Sequence, residues 1–533
     1  MKFMNIRVCF FLLFYASIVN GQAPTLVNIV KPSPSVQAMQ KYGDVPVSNY
    51  TGIPEISIPI YTVQFRDIIL PISLSYHAGG IKVAEEATEV GLGWVMNAGG
   101  SVSRNIIGDD DFNGTSYLTN SLPDLDSGMA PQNKVQQGCI LALINQKYPT
   151  LPTLYNDTLT TVLGGGSQTD WQPDQFYFNI PGKAGKFILR HNGQILLQNQ
   201  EKVDISYTVG GLSWQIKDLK GNIYDFTKFE TYQSGSGTQH KSAWHLTQIT
   251  SATGNKITFN YTALPANFVV PVGSFTERND AVQLPAVDNS GNVFNAASLG
   301  YTYGSTPANN YYQQILSSID FTVGVVKFNY SNSRTDLVNG IKLDSVSIYA
   351  KDPSGNIAAS PTKTFALFYS YFFGQQYCNI QGTPGLDTQL DPSTTRLRLD
   401  SVKNIGYFNG QLNAENPYRF NYVQADPNLQ PSKKSLARDH WGFFNGKTNN
   451  VSLIPSVYSI NSTDYIQSMV GVPGPQRETD TAYARIFSLY SVTYPTGGST
   501  DFQMESNDYD LAASEVNDHA IFSRLEADRK SVV

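Results

Sequence analysis

The chain has 533 residues, of which 41% are hydrophobic, 12% aromatic and 15% charged, against a charged share of about 25% in ordinary globular proteins. This excludes general disorder, which goes with high charge and few aromatics, and a coiled coil, which draws about half its residues from Ala, Glu, Lys, Leu and Arg. The length predicts about three to five compact units or one long repetitive array, and 31 Tyr, 28 Phe, 43 Gly and 28 Pro favour short strands joined by tight turns.

Residues 1–21 read as a signal peptide. Lys2 and Arg7 supply the positive start, Val8 to Val19 form an apolar run, and Val19 and Gly21 place small residues before a cleavage site. The run is too short for a membrane anchor, which needs about 20 apolar residues, and no later stretch is long and apolar enough to span a bilayer. Export is therefore expected. Cleavage removes Cys9 and two positive charges, leaving Cys139 and Cys378, enough for one bridge, and moving the net charge from −6 to −8. With no extended Lys/Arg cluster, that balance argues against nucleic acid as a partner.

Strand signals follow. Ile56, Ile58 and Ile60 alternate with Ser57 and Pro59, and Ile69 to Tyr76 alternates after a polar turn, so one face of each should enter a core. Glycines 79, 80, 91, 93, 99 and 100 crowd around Trp94, which suggests close backbone approach. Residues 133–147 carry the helix pattern, with Val135, Cys139, Leu141, Leu143 and Ile144 on one face and Pro149 as the stop. A Gly-rich loop reaches about Asp170. Residues 267–310, broken by Pro271, Pro285 and Pro307, read as an insertion on the rim of a β scaffold.

From about Asp174 a weak repeat emerges, running from an apolar strand through a turn to a strand ending in Phe-x-Tyr or similar. Trp244–Tyr261 is one copy. Ile315–Ile319 leading to Val326–Tyr330 is another, Leu397–Val402 leading to Tyr418–Tyr422 a third, and Leu489–Tyr494 leading through Gly497-Gly498 to Phe502 a fourth. Each is a hairpin that is marginal alone, so the copies must pair edge to edge.

The Trp244–Tyr261 copy resembles a YD repeat, the unit of rearrangement-hotspot (Rhs) and YD-repeat proteins. Leu70–His77 with Gly91-Leu92-Gly93-Trp94, Arg438–Lys447 and Tyr494–Phe502 resemble the N-terminal region of secreted Rhs-type proteins of Gram-negative bacteria. The Gly-Leu-Gly-Trp stretch is also similar to the start of the shell-forming subunits of insecticidal toxin complexes. The resemblance spans about Pro34 to Tyr509 and implies a large β-sheet spiral able to enclose a C-terminal toxic or variable domain. The chain departs from the family in having few clean YD copies and no Rhs core with its terminal domain, so no toxin activity is carried over.

Catalytic constellations are sparse. Asp109, Asp111 and Asn113, followed by Gly114, match the first half of a Ca²⁺ loop, but the twelfth position is Asn120 where a bidentate Glu is needed. A polar turn is the preferred reading, with a Ca²⁺ site as the weaker alternative, and no other cofactor is expected. Gly442 and Gly446 have three residues between them where a phosphate loop needs four, so Asn445-Gly446 reads as a hairpin turn. The six histidines show no metal-ligand spacing, no Gly-x-Ser-x-Gly elbow exists, and Glu85 and Glu86, as strand neighbours, would face opposite sides. Phe176–Phe178 and Phe368–Phe373 read as core or cross-strand aromatics before a sugar platform.

The expectation is an all-β fold, a curved array of antiparallel hairpins forming a YD-repeat/Rhs-like shell with one short helix near 133–147. Its parts are the signal peptide (1–21), an N-terminal β region with a helical or loop insertion (22–165), a hairpin array with the rim insertion 267–310 (166–425), and further hairpins (426–527). Residues 528–533 resemble a translated sequencing adapter, so the natural chain is expected to continue past Ala527. The expected function is a non-enzymatic exported scaffold at the cell surface or outside the cell, partnered by its own missing C-terminal region. The runner-up is an adhesin binding a surface glycan or protein through 145–172 and 267–310, and a glycoside hydrolase is third.

Overall fold

The computed structural model describes residues 29–30, 32–44, 52–112, 117–118, 173–190, 192–198, 201–208, 210–234, 237–264, 268–270, 274–279, 300–305, 309–373, 395–408, 411–424, 430–450, 453, 458–460, 466–468 and 475–504. The signal peptide, the 133–147 helix, both cysteines, Asn113 and the terminal segment from 505 lie outside them. The described residues are overwhelmingly antiparallel strand, as the composition predicts. The helices among them are Pro34–Asp44 and the single turn Thr481–Ala484.

The chain divides into two compact units, Met1–Val30 with Asn105–Asp174 and Arg190–Gly193, and Lys31–Arg104 with Gln175–Leu189 and Gln194–Val533. In the first, Ile29 and Val30 pair antiparallel with Ile107 and Ile106. The backbone N–H of Asp174 donates to Asp111 Oδ2 at 2.9 Å, while Asp174 accepts from the N–H groups of Ile107 and Asp111 at 2.9 and 3.2 Å.

In the second unit, strands Glu55–Phe65, Ile68–His77 and Trp94–Asn97 form a three-stranded sheet. Ile56, Ile58 and Ile60 are buried and Ser57 and Pro59 exposed, the two-residue period read from the sequence. The larger sheet contains a continuous meander. Val203–Tyr207, Trp214–Asp218, Ile223–Ser234, Gln239–Thr250, Lys256–Ala263, Gln314–Phe321, Gly324–Ser331, Lys342–Ala350, Lys363–Phe373, Thr395–Phe408, Tyr418–Tyr422, Leu489–Thr493 and Ser499–Asp501 each pair antiparallel with the next. The repeat copies at 244–261, 315–330 and 489–502 are hairpins within it. The third copy is more elaborate, because Thr395–Phe408 first pairs with Gln411–Ala414 and then with Tyr418–Tyr422. The rim segment contributes strand at its ends, Phe268–Val270 pairing with Asn309–Tyr312, and the latter with Thr231–Ser234.

Two local devices recur along the meander. The first is a turn in which a left-handed glycine closes the hairpin. Gly221, Gly254, Gly355 and Gly497 have φ of 84, 86, 87 and 91°, and each donates its N–H to the carbonyl three residues back, on Asp218, Ser251, Asp352 and Tyr494. Asp218, Ser251 and Asp352 also accept, through their side chains, from the N–H of Asn222, Asn255 and Asn356. Such a loop needs positive φ at one position, which favours Gly.

The second device is a bulge at a fixed point. Asn260–Tyr261 opposes Ser318 and Leu316, skipping Ser317; Asn329–Tyr330 opposes Ser345 and Leu343, skipping Asp344. Phe368–Tyr369 opposes Ser401 and Leu399, skipping Asp400, and Asn421–Tyr422 opposes Ser491 and Leu489, skipping Tyr490. Asp225–Phe226 opposes Gln248 and Leu246 in the same way, skipping Thr247. One extra residue disturbs the local ladder and bends the strand. Three tyrosine hydroxyls compensate, those of the half-buried Tyr261 and Tyr369 and the buried Tyr422. Tyr261 donates its hydroxyl to the carbonyl of Leu246 at 2.9 Å, Tyr369 to Leu343 at 2.6 Å and Tyr422 to Leu399 at 2.6 Å. A tyrosine opposite one bulge thus satisfies the leucine carbonyl of the bulge before it. Burial raises the phenol pKa of all three above the ordinary range, so they remain neutral donors.

The hairpin tip at Arg66-Asp67 clasps the turn Ser251–Asn255. Asp67 accepts from Thr253 Oγ1 and Asn255 Nδ2, both at 2.7 Å, and Arg66 donates to Asn255 Oδ1 at 3.1 Å.

Tyr369→Phe is expected to lower stability by about 1–3 kcal/mol, because the Leu343 carbonyl loses its partner in a dry setting. Gly355→Ala, with nothing within 4 Å of an added Cβ, should lose only the conformational term of about 1–2 kcal/mol. Gly100→Ala should lose more, since its Cβ would lie 2.4 Å from the Asn179 carbonyl oxygen. Denaturant midpoints rank the three, and a parental midpoint for Tyr369→Phe would remove the hydroxyl's role.

The hydrogen bonds from Thr253 and then Asn255 lower the Asp67 pKa to about 2. The clasp should therefore hold at all pH above the free carboxylate value near 4 and fade as pH falls through about 2. Asp67→Asn should raise hydrogen exchange at residues 251–255 near neutral pH, with the difference from the parent shrinking toward pH 2.

Candidate functional site

The sequence segments that carry the family resemblance lie in the second unit. Residues 81–93 run as a loop into the Trp94 strand, and its glycines are required by space. A Cβ on Gly91 (φ 106°) would lie 3.0 Å from the backbone nitrogen of Leu399, and one on Gly93 (φ 76°) 2.5 Å from the Tyr76 ring. That closeness lets Leu92 N–H donate to the Leu397 carbonyl at 2.9 Å, and Leu343 N–H to the Glu89 carbonyl at 2.9 Å. Trp94 is fully buried, edge-on to Tyr76 with centroids 5.3 Å apart and tilted against Phe420 at 4.6 Å. Its indole N–H donates to the Tyr422 hydroxyl at 2.8 Å, the same hydroxyl that donates to Leu399. Tyr76 in turn accepts from Leu489 N–H at 3.0 Å.

Beside this aromatic lock lies a buried charge cluster. Arg334 donates two hydrogen bonds to Asp336, at 2.9 and 2.8 Å, and others to the carbonyls of Ala87, Thr88 and Ile341. Asp336 also accepts from Leu397 N–H at 2.9 Å. Lys433 pairs with Glu86 and donates to the Asp336 carbonyl at 3.0 Å. Arg396 donates to the carbonyls of Val83 and Pro431 and stacks on Phe487, with 4.8 Å to the ring centre.

The electrostatics follow from burial. Burial pushes Asp336 upward, but Arg334, with Lys433 and the Leu397 N–H, holds it below the ordinary carboxylate range. Burial raises Glu86 and lowers Lys433 against their mutual attraction, so both charges of that pair are disfavoured. Burial also brings Arg396 down to about 10. These groups are largely buried and bonded to one another and to backbone carbonyls, although the buried Arg396 Nε has no hydrogen-bond partner. They hold the 81–93 loop, the 334–341 loop, the Thr395–Phe408 strand and the 430–436 segment together.

The Arg438–Lys447 segment is a compact loop, and the expected Asn445-Gly446 hairpin turn is corrected. Arg438 bridges Phe444, and the reversal falls at Asp439–Gly442. There the buried Asp439 carboxylate accepts from the N–H groups of Trp441 and Phe443, both at 2.9 Å, and from Thr479 Oγ1 at 2.9 Å. Asn445 is fully buried and donates to the carbonyls of Gln476 and Glu478, so its side chain staples a distant segment. Val83 N–H donates to the Gly442 carbonyl at 2.9 Å, which joins this loop to the 81–93 loop.

Other sequence candidates are dispersed. Asp109 is exposed, whereas Asp111 is buried and accepts from the Asp174 N–H. Among the described residues no group of three His, Cys, Asp or Glu is placed to hold a metal. Glu85 and Glu86 lie in a loop, which corrects their placement on a strand; Glu85 accepts from Lys82 N–H while Glu86 faces Lys433. Phe176 and Phe178 are core residues, whereas Phe368 and Phe373 are half exposed, at 50% and 53%. Sequence reasoning missed Glu230, buried 3.7 Å from His245 Nε2 and accepting from Ser33 N–H beside the first helix. It also missed the Arg334–Asp336 pair, which sits in the polar stretch Ser331–Asp336 and reads there as an ordinary loop.

Asp336→Asn should cost about 3–5 kcal/mol, because Arg334 and Lys433 remain buried with less compensation. The sign with pH follows: Asp336 contributes stability above the unfolded carboxylate value and loses it as pH falls through its lowered value. Tyr422→Phe should exceed Tyr369→Phe in cost, since it strands both the Trp94 N–H and the Leu399 carbonyl. Chemical unfolding at pH 7 ranks the variants, and repeating it at successively lower pH below 4 should shrink the difference between Asp336→Asn and the parent.

Among the described residues no helix is long and apolar enough to cross a membrane. No family model matches the chain, and no curated protein matches it. Solved structures do. The TcdB2-TccC3 crystal structure matches at 12% identity over 75% of this chain and 17% of its own, with a TM-score of 0.32. The Photorhabdus luminescens Tc holotoxin pore matches at 12% over 70% and 16%, with a TM-score of 0.32. The N-terminal domain of effector protein SpvB from Salmonella typhimurium strain LT2 matches at 12% over 66% of this chain and 99% of that domain, with a TM-score of 0.30. The chain thus spans about a sixth of the toxin-complex chains and nearly all of the SpvB domain, and its likeness to both is distant.

Proposed function

We propose that this chain is a non-enzymatic, exported β-scaffold, the N-terminal part of a larger Rhs/YD-repeat-type cell-surface or secreted protein that encases or presents a C-terminal domain. The observation that carries the reading is the rib repeat. Successive hairpins pair in one meander, and at three of the five bulges a tyrosine hydroxyl joins the rib to the bulge before it. Such a construction can be extended strand by strand and makes a wall, with no need of a cleft.

The buried ionic groups support the same reading. Arg334, Asp336, Lys433, Glu86 and Arg396 are committed to one another and to backbone carbonyls, whereas an acid–base catalyst must reach a substrate proton. Export rests on the N-terminal run from Lys2 to Gly21, and the larger whole on the family resemblance.

Sequencing the gene through its natural 3′ end and expressing the whole product tests this. The expected result is a reading frame that continues past Ala527, with a downstream region that resists protease only while residues 22–527 are attached. A natural stop at Val533, or glycoside hydrolysis by the purified chain, overturns it.

A further inference from the structure

Next to the leucine of each rib, one extra residue is inserted without a partner across the strand. At successive ribs it is Thr247, Ser317, Asp344 and Asp400, all small and polar. Thr247 and Ser317 turn their hydroxyls back to the facing strand, donating to the carbonyls of Asp225 and Asn260, both at 2.9 Å. At the Leu489–Thr493 strand the same position is Tyr490, a residue that is 43% exposed. A large aromatic displayed where the repeat needs only a small residue has no packing reason to be there.

Tyr490 borders a trough of about 900 Å³ whose wall also carries Arg398, Asn421, Gln424, Arg485 and Gln503. That volume lies within the range of small-molecule sites, about 300–1,000 Å³. The chain is acidic overall, with net charge −6, yet the described wall of this trough holds two guanidinium groups and no carboxylate. Arg398 is held in place by Asp400 Oδ1 at 2.8 Å and by the Phe372 ring, 5.3 Å from its guanidinium carbon. Arg485 is exposed and caps the Thr481–Ala484 turn through its backbone.

These groups define a ligand class. An exposed tyrosine offers a flat face to the C–H surface of a sugar ring and a hydroxyl at its edge. Side-chain amides both donate and accept, as sugar hydroxyls require, and guanidinium groups match a carboxylate in geometry and charge. Two arginines in one trough are too few for a nucleic-acid backbone, which needs a basic stripe. The geometry points to a binding site for a carboxylate-bearing oligosaccharide, with Tyr490 as its stacking face and Arg485 and Arg398 as its anion partners. The site stands whether or not the wall encloses a further domain.

Binding of the whole chain to oligogalacturonate and to 3′-sialyllactose, with lactose as the neutral reference, tests it and separates a uronate from a sialate source of the carboxylate. At least one acidic sugar should bind in the micromolar to millimolar range, at least tenfold tighter than lactose. Tyr490→Thr restores the residue type of the other ribs, so it should keep the parental melting temperature while weakening binding about tenfold. Arg485→Gln should erase the preference for acidic over neutral sugar. Absence of binding to both acidic probes, binding indifferent to both substitutions, or equal binding of a polyglutamate peptide overturns the assignment.

Discussion

The meander relies on a hydrogen bond that recurs at three of its ribs, from a tyrosine hydroxyl to the carbonyl of a leucine beside a bulge. A bulge inserts a residue that the opposing strand cannot match, so the ladder is locally disturbed. In a dry interior an unsatisfied carbonyl costs about 1–3 kcal/mol. Tyrosine solves this because its hydroxyl stands at the end of a rigid apolar ring, which fills the core while the tip donates. Tyr369 illustrates the linkage: it faces the bulge at Leu399 and donates to Leu343, while Tyr422 faces the bulge at Leu489 and donates to Leu399. Each bend therefore fixes its neighbour, and regular spacing of the bends follows from the chemistry of one side chain.

The aromatic lock around Trp94 enters this chain of bonds at Tyr422. Its indole N–H and the Leu399 carbonyl share one phenolic oxygen, so a segment near the start of the chain is tied to a rib 328 residues later. The glycines around Trp94 follow from that approach, since the Leu399 backbone and the Tyr76 ring occupy the space a side chain would need. The adjoining charge cluster does not supply much net stability by itself, because buried ion pairs lose in desolvation much of what they gain in attraction. What it supplies is selection among arrangements. Arg334 is satisfied only when the Ala87 and Thr88 carbonyls and Asp336 are all in place. A loop shifted by one residue would bury a bare guanidinium.

Much of the fold was legible because it is local. The alternation at Ile56, Ile58 and Ile60 and the Phe-x-Tyr endings state the strand period and the repeat directly, and Gly254-Asn255 states its turn. The bulges were not legible, because a register shift depends on two strands and neither Leu-Asp-Ser nor Phe-Asn-Tyr announces one alone. The Pro34–Asp44 helix was missed because it is short and polar; its entry is set from outside, by the Ser33 N–H donating to Glu230. Asn445-Gly446 misled for the opposite reason. The dipeptide is a strong hairpin signal, but here the asparagine side chain is consumed by the Gln476 and Glu478 carbonyls, and the reversal is made by Asp439 instead. The candidate site shares this history: Glu86, Arg334, Asp336 and Lys433 are unremarkable charged residues until the fold brings four distant segments together.

A frame of this kind also determines where variation can enter. Where a rib carries the linking tyrosine, that tyrosine and the leucine it bonds are fixed by the hydroxyl, so changing them loosens the neighbouring bend. The inserted residue is different. It is excluded from the ladder by construction, and its side chain is bound only by what it finds locally, as Thr247 and Ser317 are through their hydroxyls. Function can then be added to a repetitive wall one rib at a time at that position without disturbing the bonds on which the wall relies. Tyr490, carried on the rib whose leucine opposes Tyr422, is such a position, and its exposure follows from the same bulge that the tyrosine linkage exists to support.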